Sequence, residues 1–272
     1  MVVAILVWPS LWHSWSSVPH ASCGNAAYTQ ELTDWASNAS LEIVTDIAIG
    51  DWTEPWDPED PKDREACDRK IEFAICWFGD PVYFGKYPDS MRKQLGDRLP
   101  EFTPEEAELV KGSNDFYGMN HYCANYIKHK DTEPDLQDNA GNLEILMQNK
   151  KGEWIGPETQ SAWLRPMPLG FRKLIKWLSD RYGGPTFYVT ENGTSLKGEN
   201  ELPLEELLND EFRVEYFRGY IVALADAHTL DGVDVRGYSA WSLMEYVKPT
   251  FLGSTKLCLQ TIIRHFLPSV VS

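Results

Sequence analysis

Phe187-Tyr188-Val189-Thr190-Glu191-Asn192-Gly193-Thr194-Ser195 decides how this chain is read. The stretch starts as an apolar, β-rich run and ends in a polar turn that contains glycine. A buried parallel strand whose C-terminal end opens into a loop has this pattern. Glu191 then stands at the last turn of the strand, with its carboxylate at the loop end. Taken alone, Thr190-Glu191-Asn192-Gly193 serves equally well as a polar turn after a core strand.

Working outward, the elements on either side alternate between strand and helix. Before the stretch, Pro168 to Tyr182 carries Phe171, Leu174, Ile175 and Leu178 on one helical face, and Gly183-Gly184 ends that helix. After it, a helix begins near Asp210 with Val214, Phe217, Ile221, Leu224 and Ala225 on one face. Asp231-Gly232 makes a turn, and Val235 to Trp241 is the last clear strand. Further upstream, Phe116 to Tyr122 and Leu41 to Ile49 have strand composition. Gly50 to Trp56 is expected to be a loop, followed by a helix with Asp60 as N-cap and Pro61 at its first position. Cys67, Ile71, Ala74, Ile75 and Phe78 recur at helical spacing on one face. Thr103-Pro104-Glu105-Glu106 is a capping box, with Gly112 as the stop. The polar, turn-rich stretch from Lys128 to Pro166 reads as an elaborated loop over a site. Four strands separated by long helical segments imply a parallel α/β sheet, half of a (β/α)8 (TIM) barrel.

Composition narrows the function. The 272 residues are 43% hydrophobic and 24% charged, with a formal net charge of −16. An acidic surface repels nucleic acid and anionic membranes, so neither is an expected partner. Aromatic residues make up 12% of the chain, which suits stacking on pyranose faces and equally suits a large core. The five cysteines are odd in number and contain no Cys-x-x-Cys, which points to reduced thiols and a cytoplasmic location. The six histidines show no metal-ligand spacing, and neither a metal nor a cofactor is expected. Met1 to Trp15 is apolar but lacks a basic start, is too short to span a bilayer and is interrupted by Pro9. It is read as an irregular start rather than a targeting segment.

Three further motifs occur in order around the central stretch: Asp115-Phe116-Tyr117-Gly118-Met119-Asn120-His121-Tyr122, Trp163-Leu164-Arg165-Pro166 and Tyr238-Ser239-Ala240-Trp241-Ser242-Leu243. With Tyr188-Val189-Thr190-Glu191-Asn192-Gly193, they make the chain resemble glycoside hydrolase family 1, the β-glucosidases, and their fungal branch in particular. The resemblance runs from about Leu41 to Met244. It implies a retaining β-glucosidase acting on β-glucosides such as cellobiose or other cello-oligosaccharides. In such enzymes two carboxylates lie about 5 to 5.5 Å apart, one as acid/base and one as nucleophile. By resemblance Glu191 matches the nucleophile and Tyr122 the tyrosine that steadies it. Asn120 matches a polar residue of the sugar pocket, Trp241 the platform beside the sugar, and Trp163 a position nearer the leaving group. Each also has a plain structural reading, as a strand tyrosine, a core tryptophan or a backbone-satisfying asparagine. His121, by strand alternation, should point away from Asn120 and Tyr122 as a packing residue. Asn192-Gly193-Thr194 and Asn38-Ala39-Ser40 are both formal glycosylation sequons; a glycan on Asn192 would plug the site, so Asn38 is the better acceptor.

The chain also departs from that family. It has no Asn-Glu-Pro, the motif that carries the family's acid/base. Thr53-Glu54-Pro55 follows the stretch that resembles strand five, so the role is not carried onto Glu54. After Met244 the match gives way to Glu245-Tyr246-Val247-Lys248. The expectation is a single partial (β/α)8 domain over 1–272, holding about strands 5–8 with their helices, with an irregular start over 1–40 and a divergent tail over 245–272. Its unpaired strand edges would be covered by self-association. Alternatives are a non-catalytic carbohydrate-binding remnant, or a non-functional fragment left by a mispredicted gene model.

Overall fold

The computed structural model describes residues 46–207 and 209–241. The apolar start, the Asn38 sequon, the first half of the Leu41 strand and everything from Ser242 onward lie outside the described residues. The strands are β1 (Asp46–Ile49), β2 (Trp52–Pro55), β3 (Tyr117–Asn120), β4 (Ala124–His129), β5 (Leu143–Leu146), β6 (Phe187–Glu191) and β7 (Val235–Tyr238). The helices are α1 (Pro61–Ile71), α2 (Trp77–Phe84), α3 (Asp89–Leu95), α4 (Pro104–Val110), α5 (Pro168–Arg181), α6 (Leu204–Leu207) and α7 (Glu211–Thr229). Among the described residues no helix is long and apolar enough to cross a membrane.

The four strands expected from the sequence form one parallel sheet in the order β1-β3-β6-β7. Neighbours in space are neighbours along the expected series, as a parallel sheet of successive βα units has them. One face of this sheet is apolar. Tyr117, Met119, Phe187, Val189 and Val235 pack there against Phe171, Leu174 and Leu178 of α5 and Phe217, Tyr220 and Leu224 of α7. Each of these buried side chains contributes about 1.5–3 kcal/mol relative to exposure. Along β6 the alternation is plain: Phe187 and Val189 are buried on the helix side, while Tyr188 and Thr190 are half-buried on the other.

Two expected loops hold strands instead. Gly50 to Trp56 contains β2, which pairs in parallel with β4. The polar stretch from Lys128 to Pro166 begins in β4 and contains β5, antiparallel to it. These three make a separate sheet in the order β2-β4-β5. Ala66 and Cys67 of α1 cover it, packing on Ile127 and Leu143. Pro55 at the end of β2 argues against a strand in sequence, and β5 sits inside a polar, glycine-containing stretch that reads as turns.

The helix signals are realised in detail. The Asp60 carboxylate accepts the Lys62 amide at 2.9 Å with Pro61 at the first position. Thr103 and Glu106 make both bonds of the capping box, 3.2 and 2.9 Å. Gly183 and Gly184 both take left-handed backbone after α5, and the Gly184 amide closes on the Ser179 carbonyl at 2.8 Å. One helical face differs from expectation. Phe78 is 44% exposed. A π turn over Glu72–Cys76 joins α1 to α2 and adds one residue to that turn, so everything after it rotates by one position. Gly79 takes the buried place, so close to Tyr182 that a Cβ would lie 2.3 Å from its hydroxyl. Beside it Asp80, 2% exposed, accepts from Arg181 Nε at 2.9 Å, from Arg181 Nη2 at 2.6 Å and from the Tyr182 hydroxyl at 2.9 Å. This cluster joins the α2 side of the sheet to the end of α5.

Candidate active site

The C-terminal ends of β3 and β6 make the site. Their register runs Tyr117 with Phe187, Gly118 with Tyr188 and Met119 with Val189, then jumps to Asn120 with Glu191. Thr190 is therefore an extra residue, a bulge in the pairing. Strict alternation would send Glu191 to the helix side with Phe187 and Val189. A bulge re-aims the residue that follows it. Glu191 is half-buried, and its Oε2 accepts the Tyr122 hydroxyl at 2.5 Å. The Thr190 hydroxyl in turn donates to Asn120 Oδ1 at 2.7 Å, and Asn120 is buried.

The tryptophans lie further out. The Trp163 ring meets Tyr122 edge-on, 6.2 Å between centroids at 76°, and is 55% exposed. The Thr159 hydroxyl donates to the Ser161 and Leu164 carbonyls and shapes the turn that carries Trp163. Ser161 bonds Ser195 at 3.1 Å, which ties that turn to the loop after Glu191. Trp241 is 43% exposed, and its amide donates to the Asn192 carbonyl at 2.8 Å. Gly193 lies directly against this segment, since a Cβ would fall 1.9 Å from the Trp241 oxygen. Glu191, Tyr122 and Trp163 thus contact one another in series, Asn120 joins through Thr190, and Trp241 joins through backbone alone. Arg213, buried on α7, holds the same loop by donating from Nε to the Thr194 carbonyl at 3.0 Å and pairing with Glu199 and Asp210.

Glu54 stands elsewhere. It faces α5, where Oε1 accepts from Trp52 Nε1 at 2.7 Å and pairs with Lys173 at 2.5 Å. The Asn192 sequon is closed as well, because the side chain is fully buried and both amide hydrogens are used.

His121 points into the helix layer, as alternation requires. Its ring stacks on Phe171 at 4.6 Å and its Nδ1 bonds the Gly50 carbonyl at 2.9 Å. Burial pulls its pKa below the usual histidine value, only partly opposed by Asp51 and the Gly50 bond. The folded chain therefore refuses a proton that the unfolded chain takes up below about pH 6.5. This difference in proton uptake costs the fold nothing above that pH, and it removes stability as the pH falls through it. Urea unfolding should show stability falling by up to about 1.4 kcal/mol per pH unit from this group. A His121→Phe variant should lose that part of the slope; an unchanged slope in the variant would refute the assignment.

Residues 10–253 match the model of glycosyl hydrolase family 1. The chain belongs to that family. It is 65% identical to a family 1 β-glucosidase of the fungus Humicola insolens solved in complex with glucose, with a TM-score of 0.75 over 80% of this chain and 46% of that one. The β-glucosidase of Trichoderma harzianum is 55% identical, with a TM-score of 0.74 over 80% and 46%. A variant of a rice β-glucosidase in a covalent complex with Glc is 36% identical, with a TM-score of 0.71 over the same shares. Beta-glucosidase 1B of Phanerodontia chrysosporium is 47% identical over 196 residues, 72% of this chain and 35% of that protein. The glycosyl hydrolase family 1 chain thus spans less than half the length of these relatives. The family and these neighbours imply a (β/α)8 barrel, of which the parallel arc β1-β3-β6-β7 is a part.

Proposed function

We propose that Glu191 is the nucleophile of a retaining β-glucosidase and that Tyr122 holds its carboxylate in the attacking position. The observation that carries this is the 2.5 Å bond from the Tyr122 hydroxyl to Glu191 at the end of a parallel strand. One carboxylate oxygen is thereby fixed, which leaves the other to attack the anomeric carbon and form a glucosyl ester. Asn120 and Trp241 would bind the glucose and Trp163 the leaving group. The covalent sugar complex of the rice relative supports such an intermediate.

This chain supplies the nucleophile half of the reaction. No Asn-Glu-Pro is present in its sequence, and Glu54 is engaged by Lys173. The proposed domain is a single partial barrel of about strands 5–8; residues 1–40 and 245–272 lie outside the described residues. Turnover of cellobiose by this chain alone is impaired, and its barrel edges favour self-association. A reducing, cytoplasmic setting is supported by Cys67, Cys76 and Cys123, which are buried and free. Burial pushes the Cys67 and Cys76 thiols up to about 12, so they are inert.

The test is to incubate the protein with a dinitrophenyl 2-fluoro-glucoside and map adducts by peptide mass spectrometry. The acidic phenol leaves without protonation, and the fluorine slows breakdown of the ester by destabilising the oxocarbenium-like transition state. One adduct on the peptide containing Glu191, absent from Glu191→Gln, is expected. A folded protein labelled elsewhere, or not at all, would overturn the assignment and leave a carbohydrate-binding remnant or an inert fragment.

A further inference from the structure

We propose that Asn192 is a positioning residue that couples the Glu191 carboxylate to the Trp241 platform. The inference rests on the reading of Glu191 as nucleophile. Asn192 lies two residues after the bulge at Thr190, next to Glu191, and its side chain is 0% exposed. Nδ2 donates to the His121 carbonyl at the end of β3, 2.7 Å away, and to the Tyr216 hydroxyl of α7 at 2.9 Å. Oδ1 accepts the Tyr238 hydroxyl from the end of β7 at 2.7 Å. The main-chain oxygen accepts the Trp241 amide at 2.8 Å. One residue thus fastens β6 to both neighbouring strands, to α7 and to the segment that carries Trp241.

The network extends behind Tyr122. The Tyr216 ring packs against that of Tyr220, with centroids 4.4 Å apart. The Tyr220 oxygen accepts the Met167 amide at 3.0 Å, and its hydroxyl reaches the Tyr122 carbonyl at 3.4 Å. Burial raises the Tyr216 and Tyr238 phenols well above their ordinary values, so both stay neutral. Asn192 therefore meets Glu191 by two routes: through the chain, and through the packed rings of Tyr216 and Tyr220 to the backbone of the residue that holds its carboxylate.

The chemistry selects asparagine at this position. An amide has two donor hydrogens and an acceptor oxygen, and here all three functions are used. Aspartate keeps the acceptor but sets a carboxylate oxygen against the His121 carbonyl. Alanine removes every side-chain bond and frees the strand end next to a bulge, where the backbone is already irregular. Displacement of a reacting group by about 1 Å costs on the order of 10²-fold in rate.

The experiment uses the 272-residue chain with Asn192→Ala, Asn192→Asp and Tyr238→Phe. Trapping by the dinitrophenyl 2-fluoro-glucoside is followed over a concentration series, recording the rate at saturation, the half-saturating concentration and the final labelled fraction. The saturated rate is expected to fall on the order of 10²-fold in both Asn192 variants and less in Tyr238→Phe. The half-saturating concentration should move less, and the labelled fraction should hold. Loss of labelled fraction at an unchanged rate means plain unfolding and overturns the proposal. A second readout is amide hydrogen exchange in Asn192→Ala. The Trp241 and His121 amides should exchange about tenfold faster, the equivalent of one hydrogen bond, with α5 amides unchanged. If the wild-type protein gains no adduct, the Glu191 reading fails by itself and exchange alone decides on Asn192. Unchanged exchange at Trp241 and His121 would then overturn the coupling.

Discussion

Purified residues 1–272 are expected to leave cellobiose essentially intact while still reacting with an activated aryl glucoside. The difference lies in the leaving group. A sugar alkoxide is a strong base and departs only when a proton reaches its oxygen as the bond breaks. General acid–base assistance of that kind typically contributes about 10² to 10⁴-fold. The family's acid/base motif is absent from the sequence, and Glu54 is held on the helix side by Lys173 and Trp52. A dinitrophenolate needs no such proton and tests Glu191 alone. Glucose release from cellobiose and phenolate release from the aryl glucoside, measured on the same preparation, check this directly. Robust cellobiose hydrolysis that disappears in Glu191→Ala would mean that the chain provides a general acid of its own.

The second large effect is on stability, at Asp80. Asp80→Ala should destabilise the fold by about 3 kcal/mol, the lower end of the range for breaking a buried ion pair from one side. The substitution strands the Arg181 guanidinium and leaves the Tyr182 hydroxyl without its carboxylate acceptor. Arg181 keeps Glu72 at 3.1 Å, which is why the lower end applies. Asp80→Asn, which keeps an acceptor for one partner, should cost less. By contrast, removing the exposed pair of Lys86 and Asp89 should leave stability indistinguishable from wild type. Urea unfolding of the three variants settles the order; an Asp80→Ala protein as stable as wild type would contradict the reading of this cluster.

What could be read from the sequence, and what could not, follows from the range over which each feature is encoded. The main-sheet strands and the faces of α5 and α7 are written in local periodicity, and the caps at Asp60 and Thr103 in adjacent residues. Strands β2, β4 and β5 are not: β2 ends in Pro55, β5 lies inside a polar, glycine-containing stretch, and the three become a sheet only through pairing with one another. The π turn is equally hidden: one residue added to one turn leaves the composition of the helix unchanged and moves Phe78 out and Gly79 in. At the site, Glu191 and Tyr122 stood out by motif. Asn192 read as a polar turn residue, since its side-chain partners lie 71, 24 and 46 positions away.

The bulge at Thr190 changes what position means along β6. In an unbroken strand, parity assigns each residue to a side: Phe187 and Val189, both odd, belong to the core, while Tyr188 and Thr190, both even, belong to the opposite face. Glu191 is odd, yet it leaves the core series. The extra residue acts as a one-step frameshift in three dimensions, handing a single member of the core register to the site without altering any residue before it. The length of this strand is therefore as much a part of its chemistry as its carboxylate.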